Sequence, residues 1–227
     1  MKLSRNKRLF IYCAGGQGRD VLKVAKAAYA AGGGWEEIFF VDDGFAGNEV
    51  NGIPVLSLNI CLDRYGPRDG GFQIASGEPR LRQDLTKKLL AHGRQLETLV
   101  HPSLELSPFH DIGEGAFIGE GVVLSDNLSI GPCACLNANS TVGHNSSIGA
   151  YSVISPGAII SGEVTIGANT YIGTGAILRD EIEIGRDCVI GMGSLVTKSI
   201  PAGVVAYGSP CQIIRENKTP VLFSLMI

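Results

Sequence analysis

The chain has 227 residues, 44% hydrophobic and 18% charged, which suffices for one large domain or two small ones around a packed core. Nineteen basic residues against 22 acidic ones give a net charge of −3, and no Lys or Arg block follows the opening KLSRNKR, which sets nucleic acid aside. No apolar run approaches the ~18 residues of a membrane span, and LFIYCAGGQG breaks into glycines too soon for a secretory leader. The six cysteines (Cys13, Cys61, Cys133, Cys135, Cys188, Cys211) form no CxxC pair and sit in apolar contexts, as reduced thiols of a cytoplasmic chain would.

In chain order, RLFIYCA reads as a buried strand, followed by GGQG and a helix over 18–31. That helix sets Val21, Val24, Ala25 and Ala28 on one stripe and stops at GGG. EIFFVDD is a second strand, GFQIAS a third, EPRLRQDLTKKLLAHG a helix and QLETLV a further strand. Strand and helix in alternation predict a small parallel, Rossmann-like sheet over residues 1–100. The backbone N–H groups at Gly15 and Gly16 open a helix and offer themselves to an anion. Read as GxGxxG, the run gives Gly16, Gly18 and then Val21 where a third glycine belongs, a poor dinucleotide match. Asp42 and Asp43 end one strand, and Ser76, Gly77 and Glu78 end another at the same expected sheet edge, where open parallel sheets bind ligands.

From Ile112 onward fifteen consecutive hexads keep phase, each beginning with Ile, Leu or Val, with a small or β-branched residue in fifth place such as Ala116, Val122, Ala134 or Ala176. A fixed short period is the mark of a solenoid, with one flat strand per hexad. Positions one and five point the same way, so both face the interior. Three hexads to a triangular coil make about five coils over residues 101–213, with a tail or short helix over 214–227 whose apolar VLFSLMI packs on a neighbouring surface.

The hexads resemble the left-handed β-helix acyltransferases. Together with GGQGRDV, FFVDD, IASGEPRLR, TLVHPS, VGHN and the closing GSP, they resemble the bacterial sugar acetyltransferases of the bacillosamine-pathway and sialic-acid O-acetyltransferase kind. Left-handedness follows from the resemblance alone, since parallel crossovers are generally right-handed. The resemblance implies acetyl-CoA as co-substrate, no metal, a nucleotide sugar as acceptor and a homotrimer with its sites between subunits. It makes His144 the general base, a task suited to imidazole near neutral pH, with Asn145 standing where the family has Asp or Glu. It gives Asn137 a place facing the active site and Gly162, one coil beyond His144, a backbone N–H for the oxyanion. Val153 stands where some members carry a second histidine near the thioester. By the same resemblance Thr174 and Met192 are the corners that the pantetheine is expected to pass, and Gly15, Gly16, Asp42, Asp43, Ser76, Gly77 and Glu78 are expected to hold the nucleotide.

The leading expectation is N-acetylation of a UDP- or dTDP-linked 4-amino-deoxysugar in cell-surface glycan synthesis. O-acetylation of a sialic-acid-like sugar and a non-catalytic sugar-nucleotide-binding scaffold are the alternatives. A γ-carbonic-anhydrase reading needs three converging histidines, whereas His144 is the one histidine in the hexads.

Overall fold

A computed structural model describes residues 8–32 and 34–218. The opening KLSRNK and the apolar VLFSLMI end lie outside the described residues.

The N-terminal unit is built on β1 (Arg8–Tyr12), α1 (Gly16–Ala30), β2 (Glu37–Val41), β3 (Glu49–Val50), β4 (Ile53–Leu56), α2 (Leu58–Arg64), β5 (Gly71–Ile74), α3 (Pro79–Ala91) and β6 (Gln95–Leu96). Its sheet runs β3-β4-β2-β1-β5-β6, parallel throughout except for the β3–β4 hairpin. The hairpin and α2 lie in a stretch without the apolar periodicity of its neighbours. There Ser57 caps α2 by accepting from the Ile60 N–H at 3.2 Å. Gly18 fills the role of close helix–strand contact, because a Cβ there would stand 2.3 Å from the Cys13 carbonyl oxygen.

The hexads form a triangular prism of three parallel sheets. Partner residues are eighteen apart, as in Val123↔Thr141, Cys135↔Val153 and Ser147↔Thr165. Five strands on one open face (Val123–Leu124, Thr141–Val142, Ile159–Ile160, Ile177–Leu178, Leu195–Val196) mark the five coils. First-place residues such as Ile118, Ile154 and Ile172 and fifth-place residues such as Ala116, Ala158 and Ala176 are fully buried in one core. From Gly115 to Gly193 each corner turns through a fourth-place residue with positive φ, mostly Gly (Gly115, Gly157) or a polar residue such as Asn127, Asn145 and Asn169, with Cys133 and Tyr151 as exceptions. Second-place glycine answers a different need. At Gly143 a Cβ would lie 2.5 Å from the Gly162 nitrogen of the next coil.

The strand Leu99–Val100 already pairs with Phe117–Ile118, so the prism begins just before residue 100. At the far end Val204–Gly208 extends one face and turns back into Cys211–Glu216, an antiparallel strand where a tail or helix was expected. The N-terminal unit lies on that same face. The α1 stripe Val21, Val24, Ala25 and Ala28 shares one core with the sixth-place residues Phe117, Cys135 and Val153. Burial at about 1.5–3 kcal/mol per large aliphatic side chain makes this a strong seam. Arg82, fully buried, crosses the seam. Its Nε donates to the Cys133 carbonyl and one Nη to the Ile74 and Ser76 carbonyls, all at 2.8 Å.

Candidate active site

His144 occupies the corner between the open apolar face and the polar face that carries Ser147, Thr165 and Glu183. Corner positions leave side chains outside the prism, and the ring is exposed. Stacking at one coil per eighteen residues places Gly162 directly above it. A Cβ built on Gly162 would lie 2.7 Å from both Cε1 and Nε2 of His144, so the ring rests in the space that the missing side chain leaves. The half-buried Gly162 N–H makes no hydrogen bond among the described residues. A ring nitrogen and an uncommitted amide thus share one corner. On the other side Asn145 Nδ2 lies 3.3 Å from His144 Nδ1. The corner backbone is fixed by Glu163 N–H to the His144 carbonyl at 2.7 Å and Asn145 N–H to the Asp126 carbonyl at 3.1 Å.

The opposite edge of the open face carries Asn137, Thr174 and Met192. Thr174 and Met192 are exposed, Met192 by 70%. Asn137 is buried, and its Nδ2 donates to the Ile154 carbonyl at 3.1 Å. It borders a cleft of about 100 Å³ between α1 and the prism, with Asp20, Val24 and Phe117. The Lys23–Glu120 ion pair, at 2.5 Å, belongs to the same cleft.

At the N-terminal unit, Gly15, Gly16, Asp42, Asp43, Ser76, Gly77 and Glu78 gather at the C-terminal edge of β1, β2 and β5. A Cβ added at Gly15, Gly16 or Gly77 would meet nothing within 4 Å, so the edge is hollow above its glycines.

Comparison with known proteins identifies this arrangement. A model of the PglD N-terminal domain matches residues 8–89. Models of the bacterial transferase hexapeptide (six repeats) and of the hexapeptide repeat of succinyl-transferase match residues 163–198 and 140–174. The acetyltransferase domain of PglB from Neisseria gonorrhoeae FA1090, solved with acetyl coenzyme A, is 33% identical with a TM-score of 0.85, over 92% of this chain and 100% of that one. The chain belongs to the hexapeptide-repeat sugar acetyltransferases. PerB from Caulobacter crescentus, solved with CoA and GDP-perosamine, is 30% identical with a TM-score of 0.81, over 91% of this chain and 96% of that one. The GDP-perosamine N-acetyltransferase of Escherichia coli O157:H7 is 35% identical over 122 residues, so the match spans 53% of this chain and 55% of that protein. The left-handed coil of the resemblance is this acetyltransferase's fold.

Within this acetyltransferase, one sequence expectation is corrected. Val153 does not line a thioester site; it is 1% exposed and packed under α1 in the seam between the units. The strand ends also do more local work than their sequence suggested. Asp42 accepts from the Ala14 N–H at 2.9 Å and the Gly44 N–H at 3.0 Å, and Asp43 accepts from the Leu58 N–H at 2.8 Å, tying loops to α2. Ser76 accepts from the Glu78 N–H at 3.1 Å. These contacts commit oxygens of Asp42, Asp43 and Ser76 within the chain, while the edge above Gly15, Gly16 and Gly77 stays open. Burial, with Asp42 adding to it, pushes the Cys13 thiol up to about 12, so it stays protonated near neutral pH and is no nucleophile. Among the described residues no three His, Cys, Asp or Glu side chains group as metal ligands would, and no helix is long and apolar enough to cross a membrane.

Sequence reasoning missed Asn127, whose Nδ2 donates to Asn145 Oδ1 at 3.2 Å. Its spacing of eighteen from Asn145 was a readable signal.

Proposed function

We propose that this acetyltransferase moves an acetyl group from acetyl-CoA to the amino group of a nucleotide-linked 4-amino-deoxysugar, with His144 as general base. The observation that carries the reading is the His144 ring seated over Gly162 with an uncommitted amide beside it. The co-substrate supplies an activated thioester carbonyl. The Gly162 N–H is placed to meet the carbonyl oxygen as it gains charge. His144 Nε2 accepts the proton that the amine sheds on attack, and no covalent enzyme intermediate is needed. The open glycine edge at Gly15, Gly16 and Gly77 would take the nucleotide, and the exposed corner at Thr174 and Met192 the pantetheine. Uracil and thymine fit the family resemblance, while one relative above is named for GDP-perosamine and another was solved with it; base identity is a result the assay delivers. Such a reaction belongs to the cytoplasm, where nucleotide sugars and acetyl-CoA meet.

The reading also requires copies of the chain. Within one chain the His144 corner and the Thr174–Met192 corner flank the open face from opposite edges. That face exposes Val123 (56%), Ile159 (43%), Ile177 (43%) and Leu195 (38%) in one column, which water disfavours. Three prisms arranged around a common axis would cover the column and bring the His144 corner of one copy to the other corner of the next. Light scattering should return three chain masses; a single chain mass would sink the shared-site arrangement.

The functional test incubates the enzyme with acetyl-CoA and UDP-, dTDP- and GDP-linked 4-amino-sugars together with sialic acid, read by mass spectrometry. One amino-sugar should gain an acetyl group, and His144→Ala should lose at least about a hundredfold in rate. Acetylation of sialic acid alone would move the chain to O-acetylation. An undiminished His144→Ala rate would remove the base assignment.

A further inference from the structure

The carboxamides of Asn127 and Asn145, one coil apart, form a chain that ends on His144. Both residues hold positive φ, 57° in each, at the fourth place of their corners, which is why their side chains stack. Asn127 Nδ2 donates to Asn145 Oδ1 at 3.2 Å, and Asn145 Nδ2 meets His144 Nδ1 at 3.3 Å. In that direction Nδ1 accepts, so a neutral ring carries its proton on Nε2, the atom that must hold a lone pair to act as base. Turning both carboxamides over reverses every bond. His144 Nδ1–H then donates to Asn145 Oδ1, Asn145 Nδ2 donates to Asn127 Oδ1, and the Nε2 lone pair faces the space at Gly162. The imidazolium formed on proton transfer requires the same direction, since its Nδ1–H must have an acceptor.

We propose that Asn127 is a positioning residue: by offering Oδ1 to Asn145 it lets Asn145 present its carbonyl to His144 and sets the reactive tautomer. An aspartate or glutamate beside the histidine would do this alone. Asn145, which can face the ring with either end, needs a partner that decides. The inference rests on the general-base reading of His144.

The test uses the full-length enzyme with the acceptor found above. Asn127→Gly removes the side chain while keeping a backbone of positive φ unstrained; its kcat should fall about tenfold, the equivalent of a tautomer bias of about 1.4 kcal/mol, with KM for acetyl-CoA unchanged. Asn127→Asp, which can only accept, should bring kcat back to within about threefold of the wild type. In an Asn145→Asp background, which supplies a carboxylate directly, adding Asn127→Gly should change kcat less than about twofold. Nitrogen-15 NMR of the histidines should show Nδ1–H for His144 in the wild type and a shift toward Nε2–H in Asn127→Gly. Wild-type kcat and tautomer in Asn127→Gly, or failure of Asn127→Asp to recover activity, would overturn the inference. If His144→Ala is inactive while Asn127→Gly is normal, only this inference falls. If His144→Ala keeps its activity, the base reading falls and takes this one with it.

Discussion

Two faces of the prism carry the same kind of residue in sixth place, yet they meet opposite fates. Phe117, Cys135 and Val153 are no more than 2% exposed, sealed under α1, whereas Val123, Ile159 and Ile177 stand 43% exposed or more. The hexad rule accounts for the inside of the coil, where position one must be aliphatic and position five small. It says nothing of the outside, where the neighbouring element decides whether an aliphatic side chain belongs to a core or waits for a partner.

That contrast is open to direct test. Val153→Asp should be the most damaging change, because it buries an unpaired carboxylate in the seam; we expect a loss of about 3 kcal/mol or more by urea denaturation. Arg82→Met should cost about 2–3 kcal/mol by the same measurement, since it strips the donors from three buried carbonyls while keeping an apolar stem. The third test lies in the N-terminal unit. Burial, partly opposed by Arg94, pushes the Cys61 thiol from 9.0 up to about 12. The folded chain then holds a proton that the unfolded chain releases, so stability is complete below pH 9 and declines between pH 9 and 12 by about 1.4 kcal/mol per pH unit for this group. Cys61→Ala should lessen the slope by that amount, the Cys13 thiol keeping its own share, and an unchanged slope would mean the Cys61 thiol is not responsible. The smallest effect on folding should come from Ile159→Asp, within about 0.5 kcal/mol for the isolated chain, although it should reduce the mass seen by light scattering. If Ile159→Asp unfolds the chain as Val153→Asp does, the two faces are not different in kind.

Much of this was legible from residues alone. The fifteen-fold repeat announces the coil, and the eighteen-residue period predicted that Gly162 would lie beside His144, as it does. The positive-φ corners at the fourth places, and with them the stacking of Asn127 on Asn145, emerged only in the structure. Other features depend on how the units dock, and no local pattern encodes that. Val153 looked like a site position because the family resemblance puts a second histidine there in some members; only the arrival of α1 makes it core. Asp42 and Asp43 were correctly placed at a strand edge, but a sequence does not reveal that their oxygens already hold the N–H groups of Ala14, Gly44 and Leu58. Arg82 reads as one more charge on an amphipathic helix, and its burial is a property of the seam.

Up to Leu195–Val196 the spacing of eighteen residues per coil makes this molecule a ruler graduated in strand widths, about 4.8 Å each. Any two points along a corner are separated by a whole number of graduations, so distances along the prism change by adding or removing complete coils rather than by bending. Inserting one coil beyond Leu195–Val196 would lengthen the molecule by one graduation and leave the His144 corner untouched. Inserting one between Asp126 and His144 would slide that corner a full step away from the N-terminal unit and break its alignment with everything bound there.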